Sequence, residues 1–566
     1  MLNQAKFEEI LSRVQRPGRY LGNEWNVVKK DLRNSRLRFA LAFPDLYEVG
    51  MSHLGFKLIY HLLNNRPDIA CERVFSVNID LEKILRAEAI PLFTLESRAD
   101  IASFDIIGFS LAYELNYTNL LNILDMAGVP LTSSERGENE PIVIAGGPSS
   151  FNPEPLSDFI DLFIIGEAEE VLFECIDAVI ASKEGGHYNK ENLLKELSHI
   201  EGVYVPSVYR NTNPPTIRKR VIADLENSFY PTKQIVPYIG IVHDRLSVEI
   251  MRGCPHLCRF CQARTLYHHK RERSARKVLE LCEEGLKETG YEEVSLLSLS
   301  SGSHSHIISI IQSIIKKYYK KGVNISLPSL RVDKIIKEFP ELLSNIRISG
   351  LTLAPEAGSS RLRSVINKGI DIDELKPAIE AAVKFGWKRV KLYFMIGLPT
   401  EEYKDIDEMI DAVNSMLNID RRLQINVSIS SFIPKPHTPF QWEGMFREEE
   451  LNSRLNYIME RLTARRVKIK FQNTKVSILE GIISRGDMRL GRVILRAFKK
   501  GCRFDSWSEH FNYGAWMEAF KEEGVDPYSY IYEKRDFEAK LPWDHIDPGI
   551  THSHLISEAK KIKTSS

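Results

Sequence analysis

The stretch RGCPHLCRFCQARTLYHHKRERS, residues 252–274, places three cysteines within eight residues. Cys254, Cys258 and Cys261 follow the spacing C-x3-C-x2-C. Thiolates hold iron–sulfur clusters, and three of them on a cluster of four irons leave one iron open to a further ligand. The loop is also basic, since eight Lys or Arg and one Glu lie between residues 252 and 277. This pattern favours an anionic iron–sulfur cluster with an open coordination position.

A structural zinc site is the alternative for the same loop. Zinc in such sites takes four protein ligands, usually from two separate pairs. His256 inside the loop is a candidate for the fourth ligand. The remaining cysteines are Cys71, Cys175, Cys282 and Cys502. All four fall in apolar or amphipathic stretches of sequence, where a small buried thiol is the ordinary expectation. The spacing therefore favours a cluster over zinc.

The composition is that of a globular protein of several domains. The chain has 566 residues, and its 76 Lys and Arg balance its 76 Asp and Glu. No overall field therefore attracts nucleic acid or an anionic membrane. The N-terminus lacks the apolar segment of a signal peptide, and no run of 18 apolar residues occurs. We expect a soluble cytoplasmic protein that does not contact membrane, in a reducing compartment where a cysteine cluster indicates metal or redox chemistry.

Six strand-like apolar runs alternate with helical patterns from residue 245 to about residue 470. Strand–helix alternation predicts parallel strands with right-handed crossovers, and ligands in such folds bind at the carboxyl ends of the strands. The runs are RLSVEIM (245–251), EEVSLLSLS (292–300), NISLPSL (324–330), ISGLTLAP (348–355), RVKLYFMIGLP (389–399) and QINVSISSFIP (424–434).

A second α/β unit precedes this one, over residues 36–185. Its strand-like runs alternate with helical patterns and predict a doubly wound sheet of the flavodoxin type, with a ligand crevice at the strand ends. The runs are LRFALAF (37–43), FDIIGFSL (104–111), PIVIAGGPSS (141–150) and DLFIIG (161–166).

The order of these motifs resembles that of the radical S-adenosylmethionine (radical SAM) enzymes. Their C-x3-C-x2-C motif carries an aromatic residue before the third cysteine, as Phe260 does here. The resemblance implies a partial (β/α)6 barrel and a 4Fe–4S cluster on Cys254, Cys258 and Cys261. It also implies S-adenosylmethionine as a source of the 5′-deoxyadenosyl radical, and an electron donor of the flavodoxin or ferredoxin type.

The resemblance also implies which residues bind S-adenosylmethionine, since they follow successive barrel strands. The serine turn after the second strand is assigned to the methionine amino end, although a simple turn has the same composition. Glu356 and Arg363 correspond to a pair near the ribose and carboxylate, and the alternative is a helix acid with a solvated basic face. Gly397 would let the backbone approach the adenine closely. The full set is Phe260, Ser300, Ser301, Gly302, Glu356, Arg363, Gly397 and Ile433.

The segment over residues 36–185 resembles the cobalamin-binding domain of one branch of that family. Asp45-x-Tyr47-x-x-Gly50 stands where many cobalamin proteins carry D-x-H-x-x-G. Tyr47 replaces the cobalt-ligating histidine, and its phenol is a poor neutral donor. His53 is interpreted as an ordinary helix residue. The implied cobalamin contacts are Asp45, Tyr47, Gly50, Ser110, Leu111, Gly146, Gly147, Gly166 and Glu167.

The remaining parts are assigned by position. Residues 1–35 form an N-terminal cap, 186–244 a proline-rich bridge, and 471–566 a small mixed C-terminal domain that covers the barrel opening. Its basic helix favours a macromolecular substrate, and relatives of this layout are fused to or partnered with a small companion domain. Asp544, His545 and Asp547 are interpreted as a capped turn rather than a metal or acid–base group.

Three functions remain open at this point. The first is a cobalamin-dependent radical enzyme that transfers methyl groups or performs related chemistry at an unactivated carbon. The second is a radical SAM modifier of RNA or protein whose N-terminal domain does not bind cobalamin. The third is a non-enzymatic, metal-stabilised scaffold, which the strand-end motifs disfavour.

Overall fold

The computed structural model of this protein describes residues 2–186, 188–210, 212, 214–326 and 351–564. The strands are β1 (Leu37–Phe43), β2 (Ile69–Phe75), β3 (Ile106–Ser110), β4 (Ile142–Gly146), β5 (Leu162–Ile164), β6 (Val203–Tyr204), β7 (Ile217–Arg218), β8 (Leu246–Glu249), β9 (Met251–Arg252), β10 (Arg271–Glu272), β11 (Glu293–Leu297), β12 (Asn324–Ser326), β13 (Leu351–Glu356), β14 (Arg389–Ile396), β15 (Gln424–Ser431), β16 (Val467–Phe471) and β17 (Ile546–Asp547).

The α-helices alternate with these strands. They are α1 (Gln4–Ser12), α2 (Tyr47–Gly50), α3 (Leu54–Asn65), α4 (Ile79–Ala87), α5 (Tyr117–Met126), α6 (Ala168–Glu184), α7 (Lys190–Leu197), α8 (Pro206–Tyr209), α9 (Gln262–Leu266), α10 (Ala275–Thr289), α11 (Ile307–Tyr318), α12 (Ser360–Val365), α13 (Ile372–Lys384), α14 (Tyr403–Leu417), α15 (Glu448–Arg461), α16 (Thr474–Ser484), α17 (Arg489–Lys499), α18 (Tyr513–Glu522) and α19 (His552–Thr564).

The N-terminal sheet has the strand order β2-β1-β3-β4-β5-β6, with β6 antiparallel and the others parallel. The order 2-1-3-4-5 is that of a flavodoxin-like doubly wound sheet, which confirms the predicted fold. β2, with the run IACERVF, was not among the predicted strands, and it carries Glu72 and Arg73 near its centre. Arg73 is buried within it and pairs with Glu24 at 2.8 Å and Glu96 at 2.6 Å. The neutralised charge lets this strand lie in the interior.

The barrel region forms two parallel sheets in the described residues, with the orders β12-β11-β8 and β13-β14-β15-β16. All six predicted runs contribute a strand, although residues 327–350, which include parts of the third and fourth runs, lie outside the described residues. β16 was not among the predicted strands, although its lysines alternate with apolar residues as in a half-exposed strand, and it lies at the edge of the sheet. It pairs in parallel with β15 and crosses the predicted domain boundary at residue 470.

The bridge and the C-terminal segment join the two α/β units. β7 of the bridge pairs in parallel with β17 near the C-terminus, and β6, also in the predicted bridge, completes the N-terminal sheet. Helices α16, α17 and α18 share one hydrophobic core with the N-terminal domain. Helix α19 packs on α12 of the barrel through Leu555, Ala559 and Ile562. The last segment therefore contacts both units.

The basic helix α17 is neutralised by the protein itself. Arg496 pairs with Glu523 at 3.0 Å, and just beyond the helix Lys500 pairs with Glu522 at 2.7 Å. Its apolar face lies in the N-terminal core. Much of the positive charge that favoured a macromolecular substrate is therefore paired with acidic residues of the same chain. No helix in the described part of the chain combines the length and apolarity needed to cross a membrane.

Candidate active site

The cysteine loop runs from the end of β9 to the start of α9. A glycine at its start and the side chain of Arg259 fix its conformation. Gly253 has φ +85°, and a Cβ there would come within 2.7 Å of the carbonyl oxygens of Tyr267 and His269, so only glycine fits. Arg259 is buried and donates to the carbonyls of Ser364 and Val365 at 2.9 and 2.7 Å. These contacts fix the loop without using the thiols as anchors.

The three thiols lie partly exposed on this loop and none is in a disulfide. Among the described residues, no three His, Cys, Asp or Glu side chains converge closely enough for a single metal ion. His256, the candidate fourth zinc ligand, has its Nε2 3.1 Å from the hydroxyl of Ser303. Burial raises the pKa of Cys261, and backbone N–H groups of the following turn oppose the rise. With His256 engaged by Ser303, the loop offers three thiol donors, the number that a four-iron cluster with one open iron takes.

The serine turn after β11 lies against the cysteine loop. Ser301 donates to the carbonyl of Leu296 at 3.1 Å, and the hydroxyls of Ser300 and Ser303 lie 2.9 Å apart. Ser303 is the residue that contacts His256 of the loop, and the sequence analysis did not single it out. The turn that contains Ser300, Ser301 and Gly302 thus adjoins the cysteine loop at His256.

Glu356 ends β13 in a left-handed conformation, with φ +69°. It is largely buried, which raises the pKa of its carboxyl, and Lys368 lies 3.2 Å from it. The same ammonium lies 5.7 Å from the ring centre of Phe260 in the cysteine loop. Lys368 therefore links two predicted cofactor residues, although the sequence analysis missed it.

Arg363 directs its guanidinium to the protein backbone. It donates to the carbonyl of Gly358 at 2.6 Å and to that of Ile370 at 2.9 Å. These bonds hold α12 to the residues before and after it. Its predicted contact with the cofactor carboxylate stays a prediction.

Gly397 follows β14 with φ +76°, and its N–H donates to Glu401 at 2.9 Å. A Cβ at this glycine would come 2.7 Å from Leu451, so the position requires glycine. Arg454 pairs with Glu401 at 2.9 Å, and burial raises the pKa of this glutamate to about 7. The turn predicted to face adenine is therefore rigid.

A largely buried lysine lies two residues after Ile433, which itself packs against the large hydrophobic core. Lys435 contacts Glu114 at 3.0 Å and Glu480 at 2.9 Å, and Tyr113 donates to Glu480 at 2.5 Å. The network joins the N-terminal domain, the barrel and the C-terminal segment at one point. The sequence placed these residues in three separate segments and carried no signal of their contact.

A cavity of about 410 Å³ lies between the carboxyl ends of the N-terminal strands and the barrel. Its floor comes from the N-terminal sheet and α3, and its roof from β8, β9 and the residues after β11. Gly253, next to Cys254, is part of the lining. Five predicted cobalamin contacts border it, namely Ser110, Gly146, Gly147, Gly166 and Glu167.

The other four predicted contacts lie outside the described lining of this cavity. Tyr47 is 1% exposed and donates its hydroxyl to Glu24 at 2.7 Å. Asp45 is buried and accepts the indole N–H of Trp507 at 3.0 Å. The others are Gly50 and Leu111, both buried. The D-x-Y-x-x-G turn is thus engaged by the protein itself.

His53 is more than an ordinary helix residue, because it caps α3 and lines the cavity. Its Nδ1 accepts the N–H of Phe56 at 3.2 Å. The neutral ring therefore carries its proton on Nε2, which makes that nitrogen a donor rather than a metal ligand. Burial lowers the pKa of His53 to about 4, so the ring is neutral at neutral pH.

Ion pairs balance the charges at the cavity wall. Arg252 lies 2.9 Å from both Glu249 and Glu169, and Arg271 lies 2.6 Å from Glu167. The basic stretch after β9 is therefore partly neutralised, and Glu167 is already paired at the cavity edge.

Two family models match this chain. The one described as "Radical SAM proteins, N-terminal" matches residues 55–206, and the one described as "Radical SAM superfamily" matches residues 248–413. An uncharacterised protein of Methanocaldococcus jannaschii is 30% identical over 494 residues, which cover 84% of this chain and 97% of that protein.

Two further matches are more distant. The anaerobic magnesium-protoporphyrin IX monomethyl ester cyclase of Cereibacter sphaeroides is 25% identical over 260 residues, which cover 44% of this chain and 40% of that enzyme. Among solved structures, the radical S-adenosylmethionine methyltransferase TsrM of Kitasatospora setae, with cobalamin and a [4Fe–4S] cluster bound, covers 70% of this chain and 72% of its own. Its sequence identity is 14% and its TM-score is 0.49.

Proposed function

This chain belongs to the radical SAM superfamily of enzymes, and from that premise we propose that Cys254, Cys258 and Cys261 hold a 4Fe–4S cluster that binds S-adenosylmethionine. The observation that carries the proposal is the position of these thiols after the first barrel strand, on a loop anchored by Arg259 rather than by the thiols. With both cofactors bound, one-electron cleavage of the sulfonium supplies a 5′-deoxyadenosyl radical. The reductant is an electron donor of the flavodoxin or ferredoxin type.

The neighbouring side chains are assigned as the cofactor's binding groups. We expect the Ser300–Gly302 turn to bind the methionine amino end, because it adjoins the cysteine loop through Ser303. We also expect Glu356 to bind the cofactor, because Lys368 links it to Phe260 of the cysteine loop. The other expected contacts are Phe260, Arg363, Gly397 and Ile433.

We further propose that the cavity over the N-terminal sheet binds cobalamin and that the enzyme transfers a methyl group, or performs related chemistry, at an unactivated carbon. The support is the place of the cavity, between the strand ends and the residue preceding Cys254. Gly147 and Gly166 border the cavity with φ values of +115° and +104°, and a Cβ at either would meet the backbone of Leu111 or Arg220. Because His53 presents a donor and Tyr47 is bonded to Glu24, we expect a corrinoid without a histidine ligand.

The size of the cavity favours a second candidate. About 410 Å³ is near the lower end of ligand pockets and less than a corrinoid with its side chains needs. The alternative is a radical SAM modifier of RNA or protein whose N-terminal domain does not bind cobalamin. The neutralised helix α17 gives no charge argument for RNA.

Reconstitution of the full chain separates these functions. The purified protein is treated anaerobically with iron and sulfide, with or without hydroxocobalamin, and then passed through gel filtration. The main proposal expects cluster absorbance, 5′-deoxyadenosine formation from S-adenosylmethionine, and retained corrinoid with a spectrum lacking nitrogen ligation. Cluster and 5′-deoxyadenosine without retained corrinoid would establish the second candidate. Protein without any cluster would overturn both.

A further inference from the structure

Arg264 carries an unsatisfied charged group next to the cysteine loop. It lies on α9, three residues after Cys261, and is 5% exposed. Its Nη1 is buried and finds no hydrogen-bond partner among the described residues. A buried cationic donor without an acceptor is costly, so such a group marks a place where an anion binds.

The surroundings identify where that anion lies. The groups of opposite charge that act on the Arg264 guanidinium are Glu558 and then the three cysteines. Glu558 already pairs with Arg259 at 3.1 Å and with Lys561. The backbone N–H of Arg264 also bonds the thiol of Cys261. The acceptor missing from the chain is therefore on the side of the thiols.

The arginine is held from the far end of the chain. Its Nη2 lies 3.3 Å from Nε2 of His554, on α19. That helix is fixed to the barrel by Leu555 and Ala559, which are buried against α12. One nitrogen of the guanidinium, Nη2, is thus held by the C-terminal helix, which restricts rotation of the side chain. The other, Nη1, has no partner among the described residues.

We propose that Arg264 is a positioning residue for the bound cluster, with Nη1 donating to the cluster and α19 holding the guanidinium in place. The inference rests on the proposed function, because it assumes that the three thiolates hold a 4Fe–4S cluster. Three thiolates make the oxidised cluster anionic, and reduction adds one more negative charge. A buried cation therefore stabilises the reduced form more than the oxidised form and raises the midpoint potential.

The test measures the midpoint potential rather than turnover. Wild-type enzyme and the variants Arg264→Gln, Arg264→Lys and His554→Ala are reconstituted anaerobically, and iron and sulfide are counted. Each is then titrated with dithionite in the absence of S-adenosylmethionine and followed by electron paramagnetic resonance. Arg276→Gln is the control, because Arg276 belongs to the same basic stretch but is 75% exposed and pairs with Glu280.

Arg264→Gln should keep the cluster but disfavour its reduction at least tenfold, a shift of 59 mV or more to lower potential for one electron. Arg264→Lys should stay near wild type, His554→Ala should shift part of the way, and Arg276→Gln should not shift. An unshifted Arg264→Gln cluster overturns the inference while leaving the proposed function intact. If Arg264→Gln holds no cluster, Arg264→Lys is the deciding variant. Full iron content and a wild-type midpoint potential in Arg264→Lys would support a role for the positive charge. Loss of iron in Arg264→Lys would overturn the inference. Wild-type protein without a cluster overturns the proposed function itself.

Discussion

The guanidinium of Arg259 lies 3.1 Å from the carboxylate of Glu558, although 299 positions separate the two residues in the chain. Both are buried, and Arg259 sits between Cys258 and Phe260. The last helix of the protein therefore supports the cysteine loop directly. That this segment covers the barrel opening stays a prediction.

Replacing Glu558 by Gln should weaken this support. The change removes the charged partner of a buried guanidinium, and we expect the free energy of unfolding to fall by about 1–3 kcal/mol. Iron content after reconstitution should fall with it. Urea denaturation and iron analysis measure the two effects, with Glu538→Gln, an exposed glutamate of the same segment, as the control. Equal unfolding midpoints and equal iron in both variants would contradict the assignment.

Cys258→Ala should abolish the cluster. One of three thiolates is lost, so neither the visible absorbance nor reductive cleavage of S-adenosylmethionine should remain. Cys282→Ala is the matched control, since Cys282 is buried in the hydrophobic core beside the barrel strands and is remote from the loop. Full iron content in Cys258→Ala would contradict the cluster assignment, and iron loss in both variants would indicate unfolding.

Gly146→Leu tests the cavity as the cobalamin site. A Cβ at Gly146 meets only ordinary contacts, the nearest at 3.6 Å, so the fold should tolerate it while the side chain enters the cavity. We expect hydroxocobalamin to bind at least ten times more weakly, measured by absorbance titration, a loss of about 1.4 kcal/mol. The control is Gly240→Leu, where a Cβ meets nothing within 4 Å. Equal affinity in the two variants would place the corrinoid elsewhere.

Glu154 should make the protein less stable as the pH rises. Burial raises its pKa to about 7, and its carboxyl accepts a bond from Tyr204 at 3.0 Å. Between the ordinary value of 4.5 and about 7 the folded protein binds more protons than the unfolded chain, so stability falls with pH in that window. The difference reaches about 3 kcal/mol above pH 7.

Urea unfolding at several pH values measures this slope. Glu154→Gln keeps an acceptor for Tyr204 but cannot ionise, so its stability should change less from pH 4.5 to pH 7 than that of the wild type. Glu201→Gln, at an exposed position, should follow the wild-type curve. Parallel curves for wild type and Glu154→Gln would show that this carboxyl does not titrate in the window.

The sequence by itself determined the parts that depend on local pattern. Alternation of apolar runs with helical patterns predicts parallel strands, and all six barrel runs and four N-terminal runs contribute such strands. The spacing of Cys254, Cys258 and Cys261 is a local property and carries the family resemblance. The missed strands β2 and β16 contain charges, and only a buried partner or an exposed edge explains them.

The tertiary structure decided what depends on pairs far apart in the chain. Lys368 beside Glu356, Lys435 between Glu114 and Glu480, and His554 beside Arg264 have no signal in spacing or composition. A buried charge is stable only with a partner, and the partner's identity depends on how the domains pack rather than on nearby sequence. For the same reason the sequence could place Tyr47 at the expected turn, but only the packing of Glu24 and Arg73 around it decided where its hydroxyl points.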